Sequence, residues 1–443
     1  MSLAQRDLAC VWHPCTQMKD HESLPLIEVA RGEGVWLYDT SGRRYLDAVS
    51  SWWVNIFGHA QPHIAQAIAE QASRLEHVIF AGHTHEPGVR LAERLLELAP
   101  EGLGKVFFAD NGSSAVEVAL KMSFHRWINR GESRPYFVHL DGAYHGETLG
   151  ALGVSDVGLY KDTYKPLLLE ALQTPAPDRR RPDRAADIAA CLQALDELLD
   201  DKGSQIGALI LEPLVQCAAG MRMHEAEFVR GVAERCAAHG VHLIADEIAV
   251  GFGRSGTLFA CEQAGITPDF LCLSKGITGG FLPLAVVLTT DAIYADFYAD
   301  WSAQKAFLHS HSYTGNPLAC AAANATLDLF AASDVLGRNR LLGERMEARL
   351  RAAVEDHPHV TGIRRQGMIL ACDMVQSRSP RVDFPAEQRR GLRAYRYGLE
   401  HEALLRPLGH TQYLMPPYVI SEQELDILVD TMVAAIHVAV APE

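Results

Sequence analysis

No run of about 18 consecutive apolar residues, the length a membrane-crossing helix requires, occurs anywhere in the 443 residues. The opening residues 1–15 also lack the apolar stretch behind a basic start that marks a secretory leader. The expectation is a cytoplasmic protein with no membrane partner. Positive charge is short as well: 40 Lys and Arg against 55 Asp and Glu give a net charge of −15. Such a surface repels phosphate backbones and anionic lipid, which argues against nucleic acid as a partner. The nine cysteines are odd in number, scattered and never spaced as CxxC, so neither a disulfide framework nor a zinc ribbon is expected. His83-Thr84-His85 and His309-Ser310-His311 have no third ligand and no HExxH context, and no metal is expected. Repeats and low-complexity tracts are absent too. What is present is ordinary globular composition, 48% apolar and 21% charged, long enough for two or three domain-sized units with a small molecule as the default partner.

From about residue 104 to 290 short apolar runs alternate with amphipathic stretches, the pattern of a mainly parallel sheet covered on both faces. The runs 105–109, 136–140, 206–211, 241–245, 270–273 and 284–288 are expected strands. Most lead directly into polar or glycine residues, and ligands of such sheets sit at the carboxyl ends of the strands. The stretch 174–187, TPAPDRRRPDRAAD, reads as a solvated connection before a helix at 188–199. Asn316-Pro317 opens a long alanine-rich helix to about residue 330, and a final helix is expected over 422–440. The expected organisation is an N-terminal segment, 1–60, packed on the smaller unit, a large domain over 61–320, and a small C-terminal domain over 321–443. The segment 1–60 carries a hairpin, 35–38 and 45–49 about a Ser41-Gly42 turn, too small to stand alone.

Three strand ends carry chemistry. Residues 109–114, ADNGSS, join a strand to a helix; Gly112 permits close backbone approach, and the helix start offers free N–H groups and a positive dipole end, together a phosphate site, the plainer alternative being a well-capped helix. The run 241–247 ends on Asp246 and Glu247, acids that a core tolerates only with partners. One of them suits a cationic ring nitrogen, and the plainer alternative is a cap or ion pair in the following loop. The run 270–273 leads through Ser274 to Lys275, where dry surroundings disfavour the charged amine and so suit Schiff-base chemistry; the alternative is a surface lysine with a snorkelling stem. A phosphate cradle, a ring-nitrogen acid and an amine nucleophile form the minimum set for pyridoxal phosphate, with Tyr144-His145 offering a ring to stack on the pyridine. Residues 251–256 match GxGxxG but follow the acid pair and lack the βαβ unit of a nicotinamide site.

The segments FFADNGSSAVEVALKM, DGAYHGETLGAL, LILEPLVQ, LIADEIAVGFGRSG, PDFLCLSKGITGG and HSYTGNPLACAAA resemble, in order and spacing, the class III aminotransferases. That resemblance implies the aspartate-aminotransferase-like fold (fold type I), α/β with a large pyridoxal-phosphate domain and a smaller α+β domain. It implies Lys275 as Schiff-base lysine and proton carrier, Asp246 as pyridinium partner, Gly112 and Ser113 as cradle, and Tyr144 as stacking ring. It also implies a homodimer with shared active sites, Ser312 occupying the place of a phosphate-binding threonine supplied by the second subunit. Trp12-His13-Pro14, Ser50-Ser51-Trp52-Trp53, Met221-Arg222-Met223, residues 405–409 (LRPLG) and residues 413–418 (YLMPPY) resemble the branch of that family serving biotin synthesis. This implies 8-amino-7-oxononanoate as acceptor and S-adenosylmethionine as donor. A long aliphatic acid needs apolar walls and one distant cation, roles falling to Trp52, Trp53, Arg406 and the Tyr413 hydroxyl, with Ser310 also on the substrate side. Glu147 and the tryptophans suit a flat, cationic donor. That branch commonly has a tyrosine after Trp-His-Pro, where this chain has Cys15. The rivals are an ω-amine branch using lysine, a diamine or β-alanine, and a non-catalytic binding protein, the latter opposed by Lys275 and Asp246.

Overall fold

The computed structural model describes residues 1–442. Its centre is a seven-stranded sheet of strands β1 (Leu103–Ala109), β2 (Tyr136–Leu140), β3 (Leu172–Thr174), β4 (Ile206–Leu211), β5 (His242–Asp246), β6 (Phe270–Leu273) and β7 (Ala285–Thr290), in the spatial order β1-β7-β6-β5-β4-β2-β3. All six expected strands are present, within two residues at each end. β3 falls where an irregular connection was expected, too short at three residues to show a period. β4, β5 and β6 are buried along their whole length, which is why their sequences are continuously apolar rather than alternating. β7 runs antiparallel to both its neighbours. Only residues 274–284 separate it from β6, fewer than the dozen or more that a parallel crossover takes.

The helix Gly112–Asn129 crosses one face, its N-terminus closed by the Asn111 side chain. The expected hairpin pairs Trp36–Asp39 with Arg44–Asp47. It gains an outer strand, Val29–Glu33, and on its other side the late strand Ala403–Leu404, so the N-terminal segment is tied to the last part of the chain. The C-terminal part adds the antiparallel strands Val360–Gln366, Ile369–Arg378, Arg381–Asp383 and Thr411–Leu414. These are covered by helices that include Val335–Val354 and Glu422–Val440, the latter with its expected bounds and a complete Ser421/Glu424 capping box. Residue 320 lies inside the helix Pro317–Ala332, which packs on Pro62–Ala72 and Glu86–Leu98.

The arginine-rich stretch 174–187 departs from expectation only in part: residues 181–186 are exposed, as expected, while its first half is docked. Asp178 and Asp187 are buried, Asp178 bonded to Arg180 and Asp187 to Arg181. Arg180 also reaches Asp373 of the C-terminal sheet at 2.9 Å. Its first half docks because Asp178, Asp187 and Asp373 lie within reach of its arginines and neutralise them at short range, which a run of like charge alone cannot do.

Candidate active site

A cavity of about 460 Å³ opens at the carboxyl ends of the central strands, lined by Asp110 to Ser113 after β1, Tyr144 after β2, Glu212 after β4, Asp246 at the end of β5 and Lys275 after β6. Trp53 and residues 280–284 complete it. In the first turn of Gly112–Asn129 the Ser114 amide is taken by Asn111 Oδ1 at 3.0 Å. The amides of Gly112 and Ser113 have no acceptor among the described residues. A Cβ at Gly112 would lie 2.9 Å from Ile248, so glycine is what lets this turn sit against the cavity. Two free amides at a positive helix end form a cradle for a phosphate.

Asp246 is buried, held by His145 Nδ1 at 2.7 Å and by the Ile248 amide at 3.0 Å. His145 is therefore a support behind the acid rather than a stacking ring. Glu247 faces the other way and accepts the amides of Ala260 and Cys261 at 2.6 and 2.7 Å, with burial pushing its carboxyl up to about 7. The acid pair divides its work: Asp246 borders the cavity and Glu247 caps the turn behind it. Lys275 sits at φ 46°, a left-handed conformation costly for a non-glycine residue, and the preceding Ser274 is pinned by its hydroxyl to Leu284 O at 2.7 Å. Its Nζ lies 5.3 Å from the centre of the Trp53 ring and makes no hydrogen bond among the described residues. Burial holds its pKa below the ordinary lysine value, against the pull of Asp246, Cys217 and Glu212. An amine that spends more of its time neutral is a better nucleophile and proton acceptor. A ring-nitrogen acid, an unpaired amine and an anion cradle around one cavity fit pyridoxal phosphate.

The Tyr144 hydroxyl donates to Glu147 at 2.9 Å, and its ring stands 5.4 Å from Tyr160. Burial and Glu147 both raise the Tyr144 pKa. Ser50, Ser51, Trp52 and Trp53 all have positive φ, from 47° to 74°, one full turn of left-handed helix at a cost of about 1–2 kcal/mol per residue. Three bonds hold it: Ser50 Oγ to Met415 O at 2.7 Å, Ser51 Oγ to Asp47 Oδ2 at 2.8 Å, and Trp53 Nε1 to the Tyr413 hydroxyl at 3.1 Å. Successive tryptophans thus take different surroundings. Trp53 is buried and lines the cavity; Trp52 is partly exposed, with the Arg406 guanidinium stacked 4.3 Å from its ring centre. Arg406 forms no ion pair among the described residues, so the alternative of a surface salt bridge falls away. Tyr413 is buried behind Trp53 and outside the cavity lining. Its hydroxyl accepts the Trp53 indole N–H, so it reaches the cavity only through that ring.

Cys15 is exposed, at φ 52°, and its thiol is close enough to Tyr160 to help raise that phenol's pKa to about 12, after burial as the main cause. Ser310 and Ser312 are exposed on the loop before helix Pro317–Ala332, and this chain does not bring them to its own cavity. One cavity residue, Glu212, escaped the sequence reading, as did Tyr160, which lies beside Tyr144 and outside the lining. Glu212 follows a buried strand as Asp246 does and was legible by the same rule; it accepts the amides of Tyr144 and Cys217 at 3.0 and 3.1 Å, and burial beside Asp246 raises its pKa well above the carboxylate range. His145 was read with Tyr144 as a candidate ring and not as the support of Asp246; Tyr160 gave no signal, since a ring in an irregular loop has no period.

The family model for class III aminotransferases matches residues 17–436. The adenosylmethionine-8-amino-7-oxononanoate aminotransferase of Helicobacter pylori is 46% identical over 429 residues, covering 96% of this chain and 95% of that protein. The crystal structure of the protein of that name from Methanocaldococcus jannaschii superposes with a TM-score of 0.93 at 35% identity, covering 98% of each chain. An amine transaminase from an uncultivated Pseudomonas species, solved with pyridoxal phosphate bound, superposes at 0.91 with 33% identity over 97% of this chain and 98% of that one.

Proposed function

The chain belongs to the class III aminotransferases, and on that premise we propose that it moves an amino group from S-adenosylmethionine to 8-amino-7-oxononanoate, giving 7,8-diaminononanoate in biotin synthesis. Pyridoxal 5'-phosphate is its cofactor. When bound, it supplies an aldehyde that takes up an amine and a ring that accepts the electrons released when a proton leaves the neighbouring carbon. Gly112 and Ser113 would hold its phosphate through their free amides. Asp246, anchored by His145, would be the acid for its ring nitrogen, and Tyr144 would be the ring beside it. Lys275 would anchor it and serve as the amine that takes up and returns a proton, a task its depressed pKa favours.

The observation carrying the substrate assignment is Arg406: a guanidinium free of any described carboxylate, laid on Trp52 one residue from the Trp53 wall of the cavity. An aliphatic chain along Trp53 with its terminal carboxylate on Arg406 satisfies both. The functional unit is a homodimer, in which Ser310 and Ser312 serve a second copy's site. The test is to load the protein with pyridoxal phosphate, mix it with each candidate donor alone, and follow the cofactor's visible absorbance. The acceptor is then added and the diamine measured by mass spectrometry. Adenosylmethionine is expected to discharge the absorbance and the acceptor to restore it. Discharge by lysine, a diamine or β-alanine and not by adenosylmethionine moves the chain to the ω-amine reading.

A further inference from the structure

The docked arginine segment and the C-terminal unit enclose a second cavity, of about 170 Å³, remote in composition from the first. Its walls carry six guanidinium groups, from Arg179, Arg180, Arg184, Arg351, Arg364 and Arg365, and a single carboxylate among the described residues, Glu347. The acids that pair with the others do not border it. Glu225 holds Arg179 at 2.9 Å and Arg184 at 3.2 Å, and Asp373 holds Arg180 and Arg364, each at 2.9 Å. Glu347 is itself divided between Arg351 at 2.8 Å and Arg365 at 2.9 Å. Asp178 also binds Arg180 at 2.5 Å and Glu355 binds Arg351 at 2.9 Å, so five carboxylates among the described residues serve the six guanidinium groups, four of them outside the lining, and the cavity faces the cationic side of these pairs in a chain whose net charge is −15.

One buried donor is idle: Arg179 Nε has no acceptor, although both its Nη atoms are used. Arg184 bonds Glu225 through one nitrogen and keeps the rest of its guanidinium toward solvent, its side chain being 58% exposed. Like charges gathered in so small a space repel one another, and a multivalent anion between them removes that cost while taking up idle N–H groups. Forked guanidinium donors match the oxygens of phosphate in pairs. At about 30 Å³ per water the cavity holds roughly five or six waters, the size of one or two phosphate groups and too little for a nucleoside.

We propose that this cavity binds a phosphate-type oxyanion, which bridges the 174–187 segment to strand Val360–Gln366 and helix Val335–Val354. Because the bridge exists only in the folded arrangement, the anion stabilises it by mass action. The proposal is independent of the substrate assignment.

The test is calorimetric titration of the cofactor-loaded protein with inorganic phosphate and with diphosphate, against sodium chloride at matched ionic strength, with the cofactor absorbance recorded throughout. One saturable site per chain is expected, tighter for diphosphate, with a rise in Tm and no loss of cofactor. Arg184 and Arg351 are partly exposed, so Arg184→Gln with Arg351→Gln leaves the fold intact. It is expected to weaken diphosphate at least tenfold, Arg184→Gln alone at least threefold, and Arg345→Gln, whose partners Glu422 and Asp426 lie elsewhere, not at all. Binding no better than chloride, binding unchanged in the double variant, or binding that expels the cofactor would each overturn the proposal.

Discussion

The two halves of the active site are built differently. On one side Gly112, Glu212, Asp246 and Lys275 stand within a few residues of the ends of the edge strand β1 and the adjacent strands β4, β5 and β6, so a single sheet sets their spacing. On the other, Cys15, the left-handed turn at residues 50–53, Tyr160 and Arg406 come from distant, mostly irregular segments, and cross-chain contacts such as Ser50 Oγ to Met415 O hold them. The first half is set by one shared backbone. The second is assembled from separate segments, and its costly turn at residues 50–53 persists because three side-chain bonds over-determine it. Chemistry common to a family belongs on the first half, substrate choice on the second.

If that division holds, damage to the sheet half destroys turnover with every substrate. Lys275→Ala is expected to lower kcat by about 10⁴-fold or more, since it removes both anchor and proton carrier, while circular dichroism and Tm stay near the parent and the cradle still retains cofactor. Asp246→Asn is expected to retain cofactor and slow each half-reaction by about 10²–10⁴-fold, within the range of acid–base effects. Equal rates in stopped-flow measurements would make the acid structural.

The loop behind the sheet half also stores a pH dependence near neutrality. Glu247 is lifted from an ordinary 4.5 to about 7 by burial. The folded chain therefore holds a proton that the unfolded chain releases, and this contribution is complete below about pH 4.5 and lost as pH rises through 7. A shift of that size corresponds to at most about 3 kcal/mol. Melting curves from pH 5 to 8 are expected to show Tm falling with pH, with a shallower slope in Glu247→Gln. Parallel slopes in the two proteins would show that Glu247 is ionised throughout.

Legibility follows the same division. Strand ends announce themselves because a buried parallel strand is a continuous apolar run, and the residue that breaks it is polar for a reason; Asp246, Lys275 and Gly112 were found this way, and Glu212 was open to the same argument. The reversal of β7 was not, because direction is set by the length of the connection rather than by the strand. The positive φ of residues 50–53 had no sequence signal either, as no glycine or asparagine stands there. The burial of the arginine segment depended on Asp373, some 190 residues away, which no local pattern carries.

On the assembled half, effects are expected to separate by substrate. Arg406→Ala is expected to raise KM for the acceptor about ten- to hundredfold, the loss of about 1.5–3 kcal/mol from a charge-assisted bond, with the donor half-reaction within about twofold. Equal damage to both halves, in steady-state kinetics with each substrate varied, would mean one shared subsite or a displaced Trp52, the ring on which Arg406 rests.

The smallest effect belongs to Cys15. It occupies a left-handed backbone position already, φ 52°, so Cys15→Tyr changes the side chain and adds at most a modest backbone cost. Its neighbour Tyr160 already presents a phenol at this edge, with its ring 5.4 Å from Tyr144. A second phenol at 15 therefore adds an aromatic face where one exists, worth about 0.5–1.5 kcal/mol for a ring pair. The expected outcome is an intact fold and a donor KM lowered by about tenfold at most, with the acceptor KM unchanged. Tyr160→Phe is the companion measurement, since it keeps the ring and removes the hydroxyl that faces Cys15. If Cys15→Tyr alters the acceptor KM instead of the donor KM, the donor does not lie along Cys15 and Tyr160, and the boundary between the two substrates must be redrawn on the Trp52 side.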